Sequence, residues 1–376
     1  MNKQEVYVYY SPATDITGKN FVDKLEVSGG KVKPPASKKL VIGWGAKTDD
    51  DITFPKGVQV LNHPNAIRAN RNKFGALTTM AKALNVAGAT HIPLAVAADK
   101  VKAELVANRI SFPLIGRKKY HQGGKGFWNC PTVAQLEDAI ASGADYFQVM
   151  VPIKDEFRLH VFGDKVIHAV KKVKRTEEEF ENAFVEDELA RQKSLAEKNK
   201  DPFDEATARM MLKRQAKNAA AGGANMLIRS NRMGWKFSII KKCDVEMAKI
   251  AIAAVKALGL DFGAVDCCTD TNGNMFIFEV NSGPGLEATS FDKYVEAFEE
   301  VIAKFGKVEV APPVVADAKI TKPVKGTVEV EAPIVGERAF MQLQLSRLQE
   351  MLKEADDADL ATIKTLGAKL IFGKNS

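Results

Sequence analysis

The run FIFEVNSGPGLEA (residues 276–288) closes a hydrophobic stretch with a glutamate and an asparagine two positions apart, then breaks into Ser-Gly-Pro-Gly. In an extended strand, residues i and i+2 point to the same side, so Glu279 and Asn281 present side-chain oxygens next to each other. That is metal-ligand spacing, and it is equally the spacing of a polar strand end before a turn. The preceding run FGAVDCCTDTNGNM carries Asp266 and a tight-turn pair, Asn272-Gly273. A hairpin about that turn sets Asp266, Glu279 and Asn281 on one face. Three oxygen donors there suit magnesium, which keeps several waters and completes its shell with phosphate oxygens.

Other candidate groups are weaker alone. In YHQGGKGFWN, Gly123, Gly124, Lys125 and Gly126 could let backbone N–H groups approach phosphates, because no Cβ stands in the way. The same cluster also reads as a hairpin turn, and it lacks P-loop spacing. GxSxG is absent, and the five histidines are scattered; His121, at the mouth of the glycine loop, is the one placed to matter. The four cysteines show no CxxC pairing and no histidine at zinc spacing, which predicts reduced, buried thiols.

These groups need a scaffold. EVYVYY, KKLVIGWG and GVQVLNHP read as strands, and residues 65–88 carry apolar residues at helical spacing, closing on Gly88. ISFPLIGRKK and DYFQVMVP read as strands flanking the glycine loop and a helix opened by Thr132. FRLHVFGDKVIHAVKKVKR reads as two strands joined at Gly163-Asp164. Residues 176–225 are charged and helix-favouring, interrupted at Pro202 and stopped at Gly222-Gly223. They read as solvated helix faces or as a mobile insertion over a second substrate. Lys171, Lys172, Lys174 and Arg175 could draw in an acidic substrate or guard an edge strand. Beyond residue 306 a Pro-, Val- and Lys-rich stretch reads as a linker. It leads to a helix whose Met341, Leu345, Leu348 and Leu352 form a seam for docking on the body or for homo-oligomer pairing.

The 376 residues, 45% hydrophobic and 27% charged, are those of an ordinary globular protein with room for two or three domains. No run approaches the roughly 18 apolar residues of a spanning helix, and the first residues lack secretory-signal order, so a cytoplasmic protein without membrane contact is expected. The net charge of +7 suits a polyphosphate or acidic substrate as well as nucleic acid. Aromatics are not interleaved with the basic residues, which argues against nucleic acid.

Taken in order, several segments resemble the ATP-grasp superfamily. Asp266 followed by FEVNSGPGLE resembles its metal-binding hairpin. VLNHPNAIRANRNKFGAL resembles the entry to its nucleotide region, FPLIGRKKYHQGGKGF the strand and glycine loop that close over ATP, and FQVMVPIKDEFRLHVFGDKVIHAVKKVKR the hinge and Asp-x-Arg. IRSNRMGWKF resembles the Arg-Ser-Asn of the branch that includes ribosomal-protein glutamate ligases (RimK-like). The likeness runs from about residue 58 to 300.

The resemblance implies α/β and α+β architecture: an ATP-grasp fold with an N-terminal α/β pre-ATP-grasp domain (1–75), a central subdomain with the glycine-rich lid (76–150), a C-terminal subdomain with a helical insertion (151–306), and a C-terminal linker and helical tail (307–376). It implies ATP and Mg2+ as cofactors. Asp266, Glu279 and Asn281 would hold the metal. Lys73, Arg117, His121, Gly123, Gly124, Lys125, Gly126, Gln148, Val149, Met150, Val151 and Lys171 would hold the nucleotide, with backbone groups of 149–151 meeting adenine. Arg158, Arg229 and Asn231 would serve catalysis. The sequence departs from the family in carrying Arg117 for a lysine, Val149 for a glutamate after Gln148, Glu156 for the first acid of Asp-x-Arg, and an insertion of unusual spacing. The implied activity is ATP-dependent joining of a small-molecule or peptide carboxylate, or a protein acceptor, to an amine through an acyl phosphate. The alternative is an ATP-binding protein without turnover whose basic surface meets a polyanionic or protein partner.

Overall fold

The runs Val6–Tyr10 (β1) and Leu40–Trp44 (β3) are buried almost throughout. Strands covered on both faces belong in parallel sheets, and β1 and β3 form the middle of one. Its order is β2-β1-β3-β4, with Ser28–Gly30 (β2) and Gln59–Leu61 (β4) at the edges (sheet I). Helix α1 (Asp15–Leu25) and β2 lie between β1 and β3, where the sequence pattern announced neither. α1 buries only Gly18, Phe21 and Leu25, too narrow a stripe to stand out. Gly18 is required there, because a Cβ would lie 2.3 Å from Cγ of Tyr10.

The expected helix after residue 64 is two helices, α2 (Pro64–Arg71) and α3 (Lys73–Leu84). Asn72 divides them: its side chain accepts the Gly75 N–H at 3.0 Å and caps a new helix. Lys73 thereby becomes a helix-starting residue, and the expected boundary at 75/76 falls inside α3.

The structure is a computed structural model that describes residues 3–46, 48–85, 89–121, 126–221, 227, 229 and 234–305. All belong to one compact unit, Met1–Pro312. The expected linker and the Met341, Leu345, Leu348 and Leu352 seam lie outside the described residues, as do Gly88 and Gly222-Gly223.

Sheet II is antiparallel, order β5-β8-β6-β7, built from Ala95–Ala97 (β5), Leu114–Arg117 (β6), Phe127–Cys130 (β7) and Tyr146–Val149 (β8). Helices α4 (Val101–Val106) and α5 (Val133–Ala141) accompany it, the latter capped by Thr132 as its sequence implies. Sheet III is also antiparallel, order β11-β10-β9-β12-β13, from Ile153–Phe162 (β9), Lys165–Lys174 (β10), Trp235–Ile239 (β11), Phe262–Asp270 (β12) and Met275–Asn281 (β13). The turn between β9 and β10 puts Gly163 at φ +57°, a conformation glycine adopts at little cost. Between β10 and β11, α6 (Glu177–Asn199) and α7 (Glu205–Ala221) form a helical hairpin over a small core of Val185, Leu189, Leu212 and Ala216. The charged insertion is therefore helical, as its composition predicts.

Two cores fix sheet III from opposite faces. Helix α8 (Val245–Ala257) buries Met247, Ala251 and Val255 against Leu159, Val265, Cys267 and Ile277. On the other face, near sheet I, helix α9 (Ala288–Phe305) sends Tyr294 and Phe298 against Trp44, Phe162 and Phe262, with ring centroids 5.1–6.4 Å apart. Between the sheets, Asn62, fully buried at φ +53°, accepts the N–H groups of Asp261 and Phe262 at 2.8 and 3.1 Å and donates to the Phe262 carbonyl at 2.9 Å. The expected α/β and α+β architecture is thus present. All four cysteines are free thiols; Cys130, Cys267 and Cys268 are buried and Cys243 is half-buried. Among the described residues, no helix is long and apolar enough to cross a membrane.

Candidate active site

The hairpin β12–β13 carries the three expected oxygen donors. Its loop is one residue longer than the Asn272-Gly273 turn suggests. Asp270 and Asn274 close it: Asp270 N–H donates to the Asn274 carbonyl, and the Asp270 carboxylate accepts the N–H groups of Asn272 and Asn274 at 2.9 and 2.8 Å. That lengthening puts Cys267 opposite Ile277 and Thr269 opposite Met275. A bulge at Phe278 then restores the register, so Asp266 faces Glu279 and Ala264 faces Asn281. The bulge decides which way Glu279 points. Ile277, two residues earlier, is wholly buried in the α8 core, and regular alternation would send Glu279 there too. Instead Glu279 and Asn281 share a face with Asp266: Asn281 Nδ2 lies 3.0 Å from Glu279 Oε1 and 3.4 Å from Asp266 Oδ2.

Cations from three separate elements meet these donors. Arg158 on β9 pairs directly opposite Asp266 and donates Nε and Nη2 to the two carboxylate oxygens at 2.7 and 2.8 Å, the bidentate geometry that makes such pairs strong. Its guanidinium lies 5.0 Å from the Phe237 ring centroid. Burial works against its charge, but Asp266 more than compensates and raises its pKa. Lys73, opening α3, sets Nζ 3.4 Å from Glu279 Oε2 and 3.5 Å from the Val280 carbonyl. Arg117, ending β6, is also in electrostatic range. Burial pushes the Glu279 carboxyl up, yet Lys73, the Asn281 hydrogen bond, Arg117 and Arg158 together hold it well below the usual carboxylate range.

His121 stands beside Arg117, whose Nη2 lies 2.9 Å from His121 Nε2. Burial first, then Arg117, lowers the imidazole to about 4, so it is a neutral acceptor for the guanidinium. Gln148 is buried on β8, and its Nε2 has no partner among the described residues. Arg117 Nε is unpartnered in the same way. Buried donors in that condition are costly unless a ligand or water satisfies them.

Some expected positions need correction. Val149 and Met150 give their N–H groups to the carbonyls of Leu94 and Pro113 at 3.0 and 3.1 Å, so these two donors are spent within the protein rather than offered to a base; Val151 follows them, buried. Lys171 pairs with Phe157, which pairs with Cys267, and these residues occupy the face of sheet III opposite Arg158 and Asp266. It is ion-paired to Asp155 at 2.8 Å and does not join the centre. Arg229 is buried near the start of β9. It donates Nη2 to the Ile153 carbonyl at 2.9 Å and lies over the Trp235 ring at 4.7 Å, within electrostatic range of Glu156. Gly126 has φ +61°, and a Cβ on it would lie 2.7 Å from Lys118 Cγ. Gly123, Gly124, Lys125 and Asn231 lie outside the described residues.

Two further contacts beside the centre were not expected from the sequence: the pairing of Lys172 with Glu156 and the bond from Asn70. Lys172 ion-pairs with buried Glu156, one row along the face from Arg158 and Asp266; burial raises the Glu156 carboxyl, and Lys172 opposes that rise. The alternation Glu156, Arg158 signalled a shared face, but only the register with β10 reveals Lys172. Asn70, buried in α2, donates Nδ2 to the Val280 carbonyl at 2.9 Å, between the two β13 donors. Nothing local marks it, since its partner lies 210 residues away.

The donor set fits a magnesium ion that shares its shell with a nucleotide. Two carboxylates and an amide converge on one face, and Asn281 can turn Oδ1 to the front by rotating its amide. Among the described residues, no group of three or more His, Cys, Asp or Glu side chains is arranged to hold a metal by itself. Two carboxylates and one amide make a partial shell, as suits a cation that takes its remaining ligands from phosphates and water.

Fold and centre together describe a mixed α/β protein with a part-buried cluster of charged side chains. Residues 223–305 match the family model of the RimK-like ATP-grasp domain. That stretch contains Asp266, Glu279 and Asn281, while Lys73, Arg117 and Arg158 come from outside it. No curated protein matches the chain. Among solved structures, the chain is similar to the ATP-grasp ligase PsnB complexed with a minimal precursor, at 14% identity and TM-score 0.49, covering 81% of this chain and 100% of that one. It is also similar to D-alanine–D-alanine ligase from Bacillus anthracis, at 11% identity and TM-score 0.48, covering 80% and 98%. A third likeness is to a Chryseobacterium gregarium RiPP-associated ATP-grasp ligase in complex with ADP and a leader and core peptide, at 11% identity and TM-score 0.44, covering 80% and 96%. At these values no residue role transfers from them.

Proposed function

We propose that the protein is an ATP-dependent, ADP-forming carboxylate–amine ligase acting on an amino acid, peptide or protein carboxylate. The observation that carries this reading is the convergence of Lys73, Arg117 and Arg158, from three elements, on the Asp266, Glu279 and Asn281 face. Clusters of preorganised cations over a few oxygen donors suit phosphoryl transfer, in which charge develops on oxygens and positioning supplies most of the catalysis.

A carboxylate repels an amine until one oxygen becomes a good leaving group. The substrate carboxylate would take the γ-phosphoryl group of ATP, releasing ADP; the amine then attacks the acyl carbon, loses a proton, and phosphate departs. No protein nucleophile is needed. Magnesium, when bound by Asp266, Glu279 and Asn281, would supply charge neutralisation on the phosphates. Lys73 and Arg158 would hold the phosphate oxygens in line, Arg117 would do so from the end of β6 with His121 fixing its guanidinium, and Gln148 would give its unpartnered amide to the nucleotide. Arg229, if it leaves the Ile153 carbonyl, would meet the reacting carboxylate together with Asn231.

Incubation with ATP, magnesium and mixed amino acids or peptides tests the reading. ADP and phosphate release that depends on an added amine, with a product mass increased by that amine less water, is expected. Tight ATP binding without release under every mixture would show a non-catalytic nucleotide-binding protein instead.

A further inference from the structure

Arg158 and Lys73 do more in this structure than wait for phosphate. Both Asp266 oxygens are already taken by one guanidinium, at 2.7 and 2.8 Å, and the Glu279 oxygen that faces α3 lies 3.4 Å from Lys73 Nζ. Asn281 turns its amide donor to both carboxylates. Two carboxylates are thus balanced by two cations, and Arg117 adds a third positive charge nearby. The side chains of the Arg158 and Asp266 pair are only 19% and 9% exposed, so water screens them weakly.

This arrangement has a consequence for binding order, resting on the nucleotide reading above. A divalent cation arriving alone meets no net negative charge and must loosen Arg158 and Lys73 with nothing to receive them. A polyphosphate arriving alone draws those cations away and leaves two part-buried carboxylates facing its own charge. Only when both arrive can each charge exchange partners. We propose that Arg158 and Lys73 are built-in counter-cations that occupy the carboxylates until phosphate claims them, so that divalent metal and nucleoside triphosphate bind as a mutually dependent pair. The coupling is reciprocal, as linkage requires, and is expected to be about tenfold or more beyond the association of metal with ATP in solution.

The test is equilibrium binding to the full chain, with Mn2+ as the metal probe read by electron paramagnetic resonance and ATP read by calorimetry, each alone and each with the other present. Wild type is expected to bind each alone at least about tenfold more weakly than in the other's presence. Arg158→Met frees Asp266 and Lys73→Met frees Glu279; each is expected to tighten Mn2+ binding without nucleotide while weakening ATP. A purely structural role would weaken both ligands. Lys73→Met keeps the test alive if Arg158→Met fails to fold, because Lys73 contributes from a helix end outside the strand ladder. Equal affinities with and without the partner ligand, or unchanged Mn2+ binding in both variants, overturn the counter-cation proposal and leave the ligase reading standing. Failure of wild type to bind the pair at any concentration overturns both.

Discussion

Sheets II and III both send a guanidinium within electrostatic range of Glu279 but lend different things to the centre. On sheet III the functional groups are side chains aimed by cross-strand pairing: Asp266 meets Arg158 and Glu279 because those residues are opposite one another. On sheet II the expected contribution was backbone, and the N–H groups of Val149 and Met150 are consumed by Leu94 and Pro113. A strand in a ladder can project every second side chain into a site, but its amides already have obligations. What sheet II offers instead is the side chain of Gln148 and the guanidinium of Arg117.

The sharpest way to break this comparison is to shift the register. Inserting an alanine between Phe278 and Glu279 puts the alanine opposite Asp266 and turns Glu279 toward the α8 core. Loss of magnesium-dependent ATP binding is expected, with a lowered melting temperature; binding at wild-type strength would show that register does not place the donors. Next comes Asp266→Asn, which leaves Arg158 part-buried without its counter-charge. Urea denaturation is expected to show a loss of about 3 kcal/mol, and ATP-dependent phosphate release to fall about a hundredfold.

The hairpin also shows how much could be read beforehand. The shared face of Asp266, Glu279 and Asn281 was legible from period-two alternation and a turn signal. The Asn272-Gly273 pair predicts a two-residue turn, whereas the Asp270 side chain closes a longer loop and Phe278 bulges out. The two departures offset each other, so the donors end where simple alternation puts them. Buried strands, the β9–β10 hairpin and the charged helical insertion were similarly visible, because each is marked by its own composition. The break at Asn72, the thin stripe of α1, the Asn70 grip on Val280 and the Lys172 pairing were not, since each depends on a partner distant in sequence. Lys171 failed for the same reason: a one-position difference along β10 separates the two faces of the sheet.

On sheet II a smaller effect is expected. Gln148→Leu removes an unpartnered buried donor, so ATP binding should weaken about tenfold while the urea midpoint holds or rises. Lys171→Ala, on the far face, is the control and should leave ATP affinity unchanged. A fall in stability for Gln148→Leu without any change in ATP affinity would place the amide in a structural role.

The smallest contrast is in pH dependence. Burial lowers His121 beside sheet II to about 4 and His160 on sheet III to about 3. Unfolded, both titrate near 6.5, so the unfolded chain binds more protons as the pH falls. The stability these residues contribute is present above pH about 6.5 and is lost as pH drops toward their folded values. The urea midpoint should therefore be lower at pH 5 than at pH 7, and His160→Gln should reduce that difference; an unchanged pH dependence in the variant would remove His160 from the account.

The central claim is that the paired-strand face carrying Glu279 holds a metal-bound nucleotide. Calorimetric titration of wild type and Glu279→Gln with ATP in excess magnesium tests it most directly. Saturable binding in wild type and binding at least about tenfold weaker in the nearly isosteric variant are predicted, with α-helical content unchanged. Equal affinity in the two proteins would contradict it.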